Sequence, residues 1–468
     1  LHLQTMQPHH PAPPANSFRA PTTMWNPDGD TTMSGMDISP SHRLPHIAAF
    51  PQALGTGIII TCSKRIPAGL RQRMAGLIED FEDAFSRFRA DSSVGRIATA
   101  EHGGTFAFPD GLGAEALFAL YDRLFAASCG AVDPLVGEEL TKLGYGADMA
   151  YRMRVGTESP ETVGASSPDM EAATAPANPM GKGTEGTDMV DSDFGKRPAE
   201  AGVCGVASVN DLRKRPTWGD AVSHSGNVII TTQVVQLDFG AAGKGMMVDL
   251  LANILDRELP GAAYVIDAGG DLRIHGLAQT LKPSAASSAT EPLTIAMEDP
   301  DDTAQAIGTI AITDGSLCAS APSRRHWQVR SGDALREVHH LLNALDGQPA
   351  DDVKATWVFV PVPTAAATAP ESRFGSVQPP ASEASDNDAG MNDSASTQTH
   401  EWTATDIARL YPTALADGLA TALFVSDAGA LAAAFAAPDE TPLFQCALID
   451  INRNAAASPS FPGRFFTA

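Results

Sequence analysis

Four short stretches carry side chains whose types and spacing suit chemistry on an oxygen-rich, charged ligand. The first is LDFGAAGKGMMVD, residues 237–249, in which Gly240, Ala241, Ala242, Gly243 and Gly245 surround Lys244. With almost no side chain there, backbone amides and carbonyls can approach a ligand beside one ammonium, which suits a phosphate or a hard cation. Met247, Leu250, Leu251, Ile254 and Leu255 come next at helical spacing, placing the glycines at a helix N-terminus, where outward-pointing amides bind anions. A strand-to-helix turn in which glycine only permits close packing accounts for these residues equally well.

The second stretch is TALADGLATALFVSD, where Asp417 and Thr421 stand four residues apart and share one helix face. A carboxylate and a hydroxyl so placed make half a site for Mg²⁺, which prefers oxygen ligands; the bland alternative is an Asp that caps a helix. In the third, AYVIDAGGDL, a strand runs into Asp267, Ala268, Gly269, Gly270 and Asp271, so amides meet a ligand while Asp271 takes a hydroxyl or an amide. A hairpin turn is expected there in either case. The fourth is HHLLNALDGQP, where His339 and His340 precede Gly347 and Pro349, and one imidazole could act as base, acid or ligand. An alternating strand pattern would put His340 and Leu342 on one face and His339 and Leu341 on the other.

These residues need a scaffold. Residues 67–90 repeat Leu70, Met74, Leu77, Ile78, Phe81, Phe85 and Phe88 at helical spacing, and a second helix spans Leu112 to Cys129, ended by Gly130. Helices are also expected over Met246–Glu258 and Thr413–Val425. A first strand covers Gly57 to Thr61, and further strands are read at 227–232, 263–267, 293–297, 308–312 and 355–359. Residues 1–44 read as a disordered leader, and 155–223, 279–291 and 364–403 as polar low-complexity insertions. Without them on the order of 300 residues remain, enough for one sizeable core over 45–468. The element order is that of an α+β fold, not a clean βαβ alternation.

The chain has 468 residues and a formal charge of −24, which argues against nucleic acid and anionic membrane as partners. Five scattered cysteines form no metal-type cluster, and the odd count gives no complete disulfide framework. With no signal segment or lipid-accepting cysteine near the start, a cytoplasmic protein is expected, or a membrane-attached one if the true N-terminus lies upstream.

Taken in order, the motifs resemble the ApbE family of FAD:protein FMN transferases. Leu54-Gly55-Thr56 resembles that family's Met-Gly-Thr, and Phe85, Ser86, Asp91 and Ser92 its Phe-Ser and Asp-Ser pairs. Ser128 to Pro134, leading on to Gly144-Tyr145-Gly146, resembles its Ser-Asp-Gly-x-Phe-Asp-Pro segment. Gly240–Gly245 resembles Gly-Gly-Ile-Ala-Lys-Gly, and Asp267–Asp271 resembles Asn-x-Gly-Gly-Asp. Cys318 to Ala321 with Arg324 and Arg325 resembles Ala-Thr-Ser-Gly and its trailing basic residues, His340–Pro349 the histidine motif, and Ala416–Ala422 the Ala-Asp-Ala-x-x-Thr-Ala motif. Departures fall at Ala98, Ala319, Ala321 and Ala344, near the flavin or the acceptor in the family.

The resemblance implies an ApbE-like, T-fold-like unit of mixed sheets with helices. It implies FAD as substrate, Mg²⁺ as cofactor, and an acceptor protein whose Ser or Thr receives FMN as AMP leaves. It assigns the metal to Asp417, Thr421 and a carbonyl at Gly243, catalysis to His340 and Lys244, and FAD contacts to Gly55, Thr56, Asp91, Ser92, Lys244, Gly269, Gly270, Asp271 and Ser320. The alternatives are an FAD pyrophosphatase that gives FMN and AMP, and a flavin-binding protein without catalysis.

Overall fold

The computed structural model describes residues 4–6, 43–146, 215–277, 292–331, 334–362 and 401–466. Its centre is a nine-stranded sheet in which every pairing is antiparallel. Read across, the strands are Gln4–Met6, Ala455–Ala457, Gln445–Asp450, Val353–Val360, Gly315–Ser320, Asp271–His275, Tyr264–Asp267, Ile58–Cys62 and His46–Phe50. Alternate side chains leave on opposite faces, so the sheet can bury two layers. Ile58, Ile60, Tyr264, Ile266, Cys318, Val358 and Cys446 face the helices, where Met74, Phe81, Met247, Leu251 and Leu415 complete the larger core. Leu317, Trp357, Ala447 and Ile449 face the other way, against a three-stranded sheet of Leu293–Glu298, Ala306–Ile312 and Gly463–Phe465.

The expected helices form at Ala68–Phe85, Ala114–Ala127, Gly243–Glu258 and Pro412–Ala422. The first buries Leu70, Met74, Ile78, Phe81 and Phe85, five of the seven positions its periodicity singles out. The expected strands are present with shifted ends, for example Val353–Val360 for 355–359 and Ala306–Ile312 for 308–312.

Parts of three of the polar segments carry regular structure. Gln4–Met6, inside the leader, pairs with Ala455–Ala457 as an edge strand. Within 155–223, Trp218 is buried against Phe118 and Tyr121, and a short helix, Trp218–Ala221, leads into the strand Val222–Ser225. Thr403, read as insertion, caps the helix Ala404–Leu410 by accepting from the Asp406 amide at 3.1 Å. The 279–291 segment lies outside the described residues, as does most of the other three.

Candidate active site

The site forms where the N-terminal end of the Gly243–Glu258 helix meets the side of the Pro412–Ala422 helix and the strand end at Asp271. Gly245 is what lets the two helices approach, since a Cβ there would run into the Thr413 carbonyl. Asp249, one turn on, closes the junction. Its carboxylate accepts the backbone amides of Thr413 and Ala414, both at 2.9 Å, and the Thr413 hydroxyl at 2.7 Å. Ser316 Oγ lies 2.7 Å from that same hydroxyl, tying the junction to the central sheet.

This packing brings Lys244 between two buried carboxylates. Its Nζ donates to Asp271 and, at 3.1 Å, to Asp417. The other Asp417 oxygen accepts the Gly245 amide at 3.0 Å. So Asp417, set mid-helix, takes one of the free N-terminal amides of its neighbour, where a carboxylate is stabilised by the helix dipole. Two buried carboxylates share one ammonium, so a second negative charge there is costly. Burial first, then the Asp271 carboxylate, raise the pKa of Asp417 against the opposing Lys244 ammonium and Gly245 amide. Burial works against the Lys244 ammonium, but the two carboxylates outweigh it and hold the group charged.

The triad opens into a cavity of about 710 Å³, within the range of small-molecule sites. Gly55, Thr56, Lys244, Gly269, Gly270, Ser320, His340, Asp417 and Thr421, distant in sequence, all line it. Two of the motifs touch directly: a Cβ on Gly269 would come 3.0 Å from the Thr56 Cβ. The expected hairpin turn is there too, with Asp267 Oδ1 accepting the Gly269 amide at 2.9 Å and the Gly270 amide at 3.2 Å. Asp271 does not line the wall; it stands behind it, paired with Lys244.

Not every expected residue reaches the cavity. Ser92 is buried as the cap of the short helix Ser93–Ile97, accepting the Gly95 amide at 2.8 Å, and neither it nor Asp91 lines the wall. Gly243 begins its helix and does not line the wall, whereas Gly240 and Ala241 before it do. Of the four departures from the motifs, Ala319, Ala321 and Ala344 line the cavity and Ala98 does not.

The histidines separate. His340 lines the cavity, with Nδ1 3.3 Å from the Arg325 carbonyl. A carbonyl only accepts, so Nδ1 carries the proton and Nε2 keeps its lone pair. Burial, and then the Arg325 guanidinium, pull its pKa down to about 3, so the ring is neutral at pH 7. His339 is buried outside the cavity, its Nε2 3.7 Å from Asp351. The strand Ala334–His339 ends there, and Leu341 lines the cavity along with Leu342 because alternation stops at that point.

Arg87, which the motifs do not single out, braces one wall. It pairs with Asp238, donates to the Tyr145 carbonyl at 2.6 Å, and lies 5.0 Å from the Tyr145 ring centre. Asp238 in turn accepts the Gly240 amide at 2.6 Å, so this contact holds the glycine turn and the aromatic wall together. The only sequence signal for it is an arginine next to Ser86 in a motif, which has no periodicity to read.

Asp417 and Thr421 both line the cavity, and a carboxylate and a hydroxyl oxygen are the kind of donor that a hard cation takes. Among the described residues no three His, Cys, Asp or Glu gather into a group that could hold a metal ion, so a cation there would draw its other ligands from hydroxyls, carbonyls, substrate or water.

The ApbE family model matches residues 54–371. Among solved structures, the chain is similar to an ApbE protein from Thermotoga maritima, with TM-score 0.53 and 16% identity over 88% of this chain and 97% of that one. It is also similar to the flavin transferase ApbE of Vibrio cholerae, with TM-score 0.51 and 18% identity over 89% and 97%. For the flavinyl transferase ApbE of Pseudomonas stutzeri the values are 0.50 and 18%, over 88% and 94%. No curated protein matches the chain significantly.

Proposed function

The chain belongs to the ApbE family, and from that premise we propose that it transfers FMN from FAD to a Ser or Thr hydroxyl of an acceptor protein, releasing AMP, with Mg²⁺ as cofactor. The observation that carries this reading is the convergence of Thr56, Gly269, Lys244, His340, Asp417 and Thr421 on one cavity. In-line displacement at phosphorus needs positioning and charge neutralisation more than covalent catalysis, and these residues supply both.

The acceptor oxygen forms a bond to the phosphorus on the FMN side, the bond from that phosphorus to the bridging oxygen breaks, and AMP leaves with that oxygen. His340 Nε2 takes the hydroxyl proton. A free-protein pKa of about 3 makes His340 a weak base, and the negative charge of a diphosphate in the cavity raises its basicity when substrate is present. Lys244 offsets phosphate charge, while Asp271 holds that ammonium in place. Asp417 and Thr421 would hold Mg²⁺, with a carbonyl of the turn that ends at Gly243. When bound, the cation supplies positive charge to the diphosphate. Ser320, Gly269, Gly270, Gly55 and Thr56 line the remaining wall for FAD.

AMP production from FAD and Mg²⁺, measured with and without a candidate acceptor, tests this reading. AMP should form faster with acceptor and exceed the free FMN. Equal AMP and free FMN under both conditions would instead identify an FAD pyrophosphatase, and no AMP at all a flavin-binding protein.

A further inference from the structure

The Ala114–Ala127 helix brings to the cavity one polar group that the reaction above leaves unused. Tyr121 lines the cavity, is 1% exposed, and packs edge-on against Phe239 with 5.3 Å between ring centres. Among the described residues, several buried side-chain polar atoms have no hydrogen-bond partner, and of these only the Tyr121 phenol oxygen belongs to a cavity-lining residue. The amides of Ala241 and Ala242 lie beside that oxygen, and the carboxylates of Asp238 and Asp417 are near. Amides donate, so they can use only the phenol's lone pairs and leave its proton without an acceptor. Burial, then the two carboxylates, keep the phenol protonated.

A buried donor without an acceptor costs stability, and groups of this kind mark places where a ligand or water completes the set. Its neighbours say which part of a ligand that is. Ala241 and Ala242, at the end of the glycine turn just before the Gly243–Glu258 helix, lie beside it, whereas the apolar wall of Leu272, Leu317 and Trp357 belongs to strands of the central sheet. We propose that the Tyr121 hydroxyl donates a hydrogen bond to a non-bridging oxygen of a bound diphosphate. It is a substrate-binding residue that acts beside Lys244; the choice of a diphosphate rests on the FAD reading.

The test is calorimetric titration of wild type and Tyr121→Phe with inorganic pyrophosphate and, separately, with FAD, both in Mg²⁺, together with thermal unfolding of each protein without ligand. The Phe variant keeps the ring and should bind both ligands about tenfold more weakly. Without ligand it should unfold at nearly the wild-type temperature, since removing a donor that has no acceptor offsets the acceptor lost to the two amides. A hydroxyl with a purely structural part gives the reverse: a lower unfolding temperature and unchanged affinity. That result, or a variant that fails to fold, overturns the proposal. Weaker binding of FAD alone also overturns it, by placing the phenol at the rings. Wild type that binds pyrophosphate but not FAD contradicts the FAD reading and leaves the pyrophosphate comparison to decide the role of Tyr121; binding of neither overturns both.

Discussion

His339 and His340 are chain neighbours in opposite environments, and the contrast gives the sharpest residue-level expectations. His340→Ala should lower transfer by roughly a hundred- to ten-thousand-fold, the usual worth of a general base, with FAD affinity nearly unchanged. His339→Ala, outside the cavity, should cost less than about tenfold on the same scale. Single-turnover transfer and FAD titration on both variants check this; a dead His339 variant would reverse the assignment. Because the folded pKa of His340, about 3, lies below the ordinary 6.5, the unfolded chain takes up a proton first, and this residue removes stability as pH falls through that window. Its ring signals in the free protein should therefore stay constant from about pH 8 to about pH 5 and begin to titrate at higher pH when a diphosphate is bound. At the proposed metal, Asp417→Ala should abolish the magnesium dependence, while Thr421→Ala should be milder because water replaces a neutral oxygen. A magnesium titration of activity in which Asp417→Ala matches wild type would show the metal to lie elsewhere.

Between residue and molecule stands the junction of two helices, and here Asp249 matters more than its place in the sequence indicates. It ends the stretch that contains Lys244, yet its carboxylate serves the amides of the other helix, the one that carries Asp417 and Thr421. Asp249→Ala leaves three donors without their acceptor and should destabilise the fold by about 3 kcal/mol. Asp249→Asn, which keeps one oxygen toward both amides, should recover most of that in urea unfolding. Equal losses for the two would mean that the acceptor does not set the junction. Helices were legible because their apolar periods are long, as at Leu70, Met74, Ile78 and Phe81. The Gly315–Ser320 strand was not, since its first four residues are all buried and it shows no polar alternation. Trp218 was hidden in a different way, by the polar composition of the segment before it.

At the scale of the whole molecule, the antiparallel sheet between a helical layer and a smaller sheet explains how motifs spread from Leu54 to Thr421 reach one cavity. Motif order made the family legible and named most of the cavity wall. It did not reveal which motif residues stop short: Asp91 and Ser92 sit at a helix start, because a Ser with a free amide three residues on makes a cap whether or not a ligand is near. Nor did it give Arg87 or Tyr121, whose parts depend on what the fold places opposite them. The most direct test of the central claim is the intact mass of a candidate acceptor protein after incubation with this protein, FAD and Mg²⁺. The account predicts a gain of one FMN on a Ser or Thr, matched by AMP and lost with His340→Ala; FMN found only in solution, with the acceptor mass unchanged for every acceptor that a known flavin transferase modifies, would contradict it.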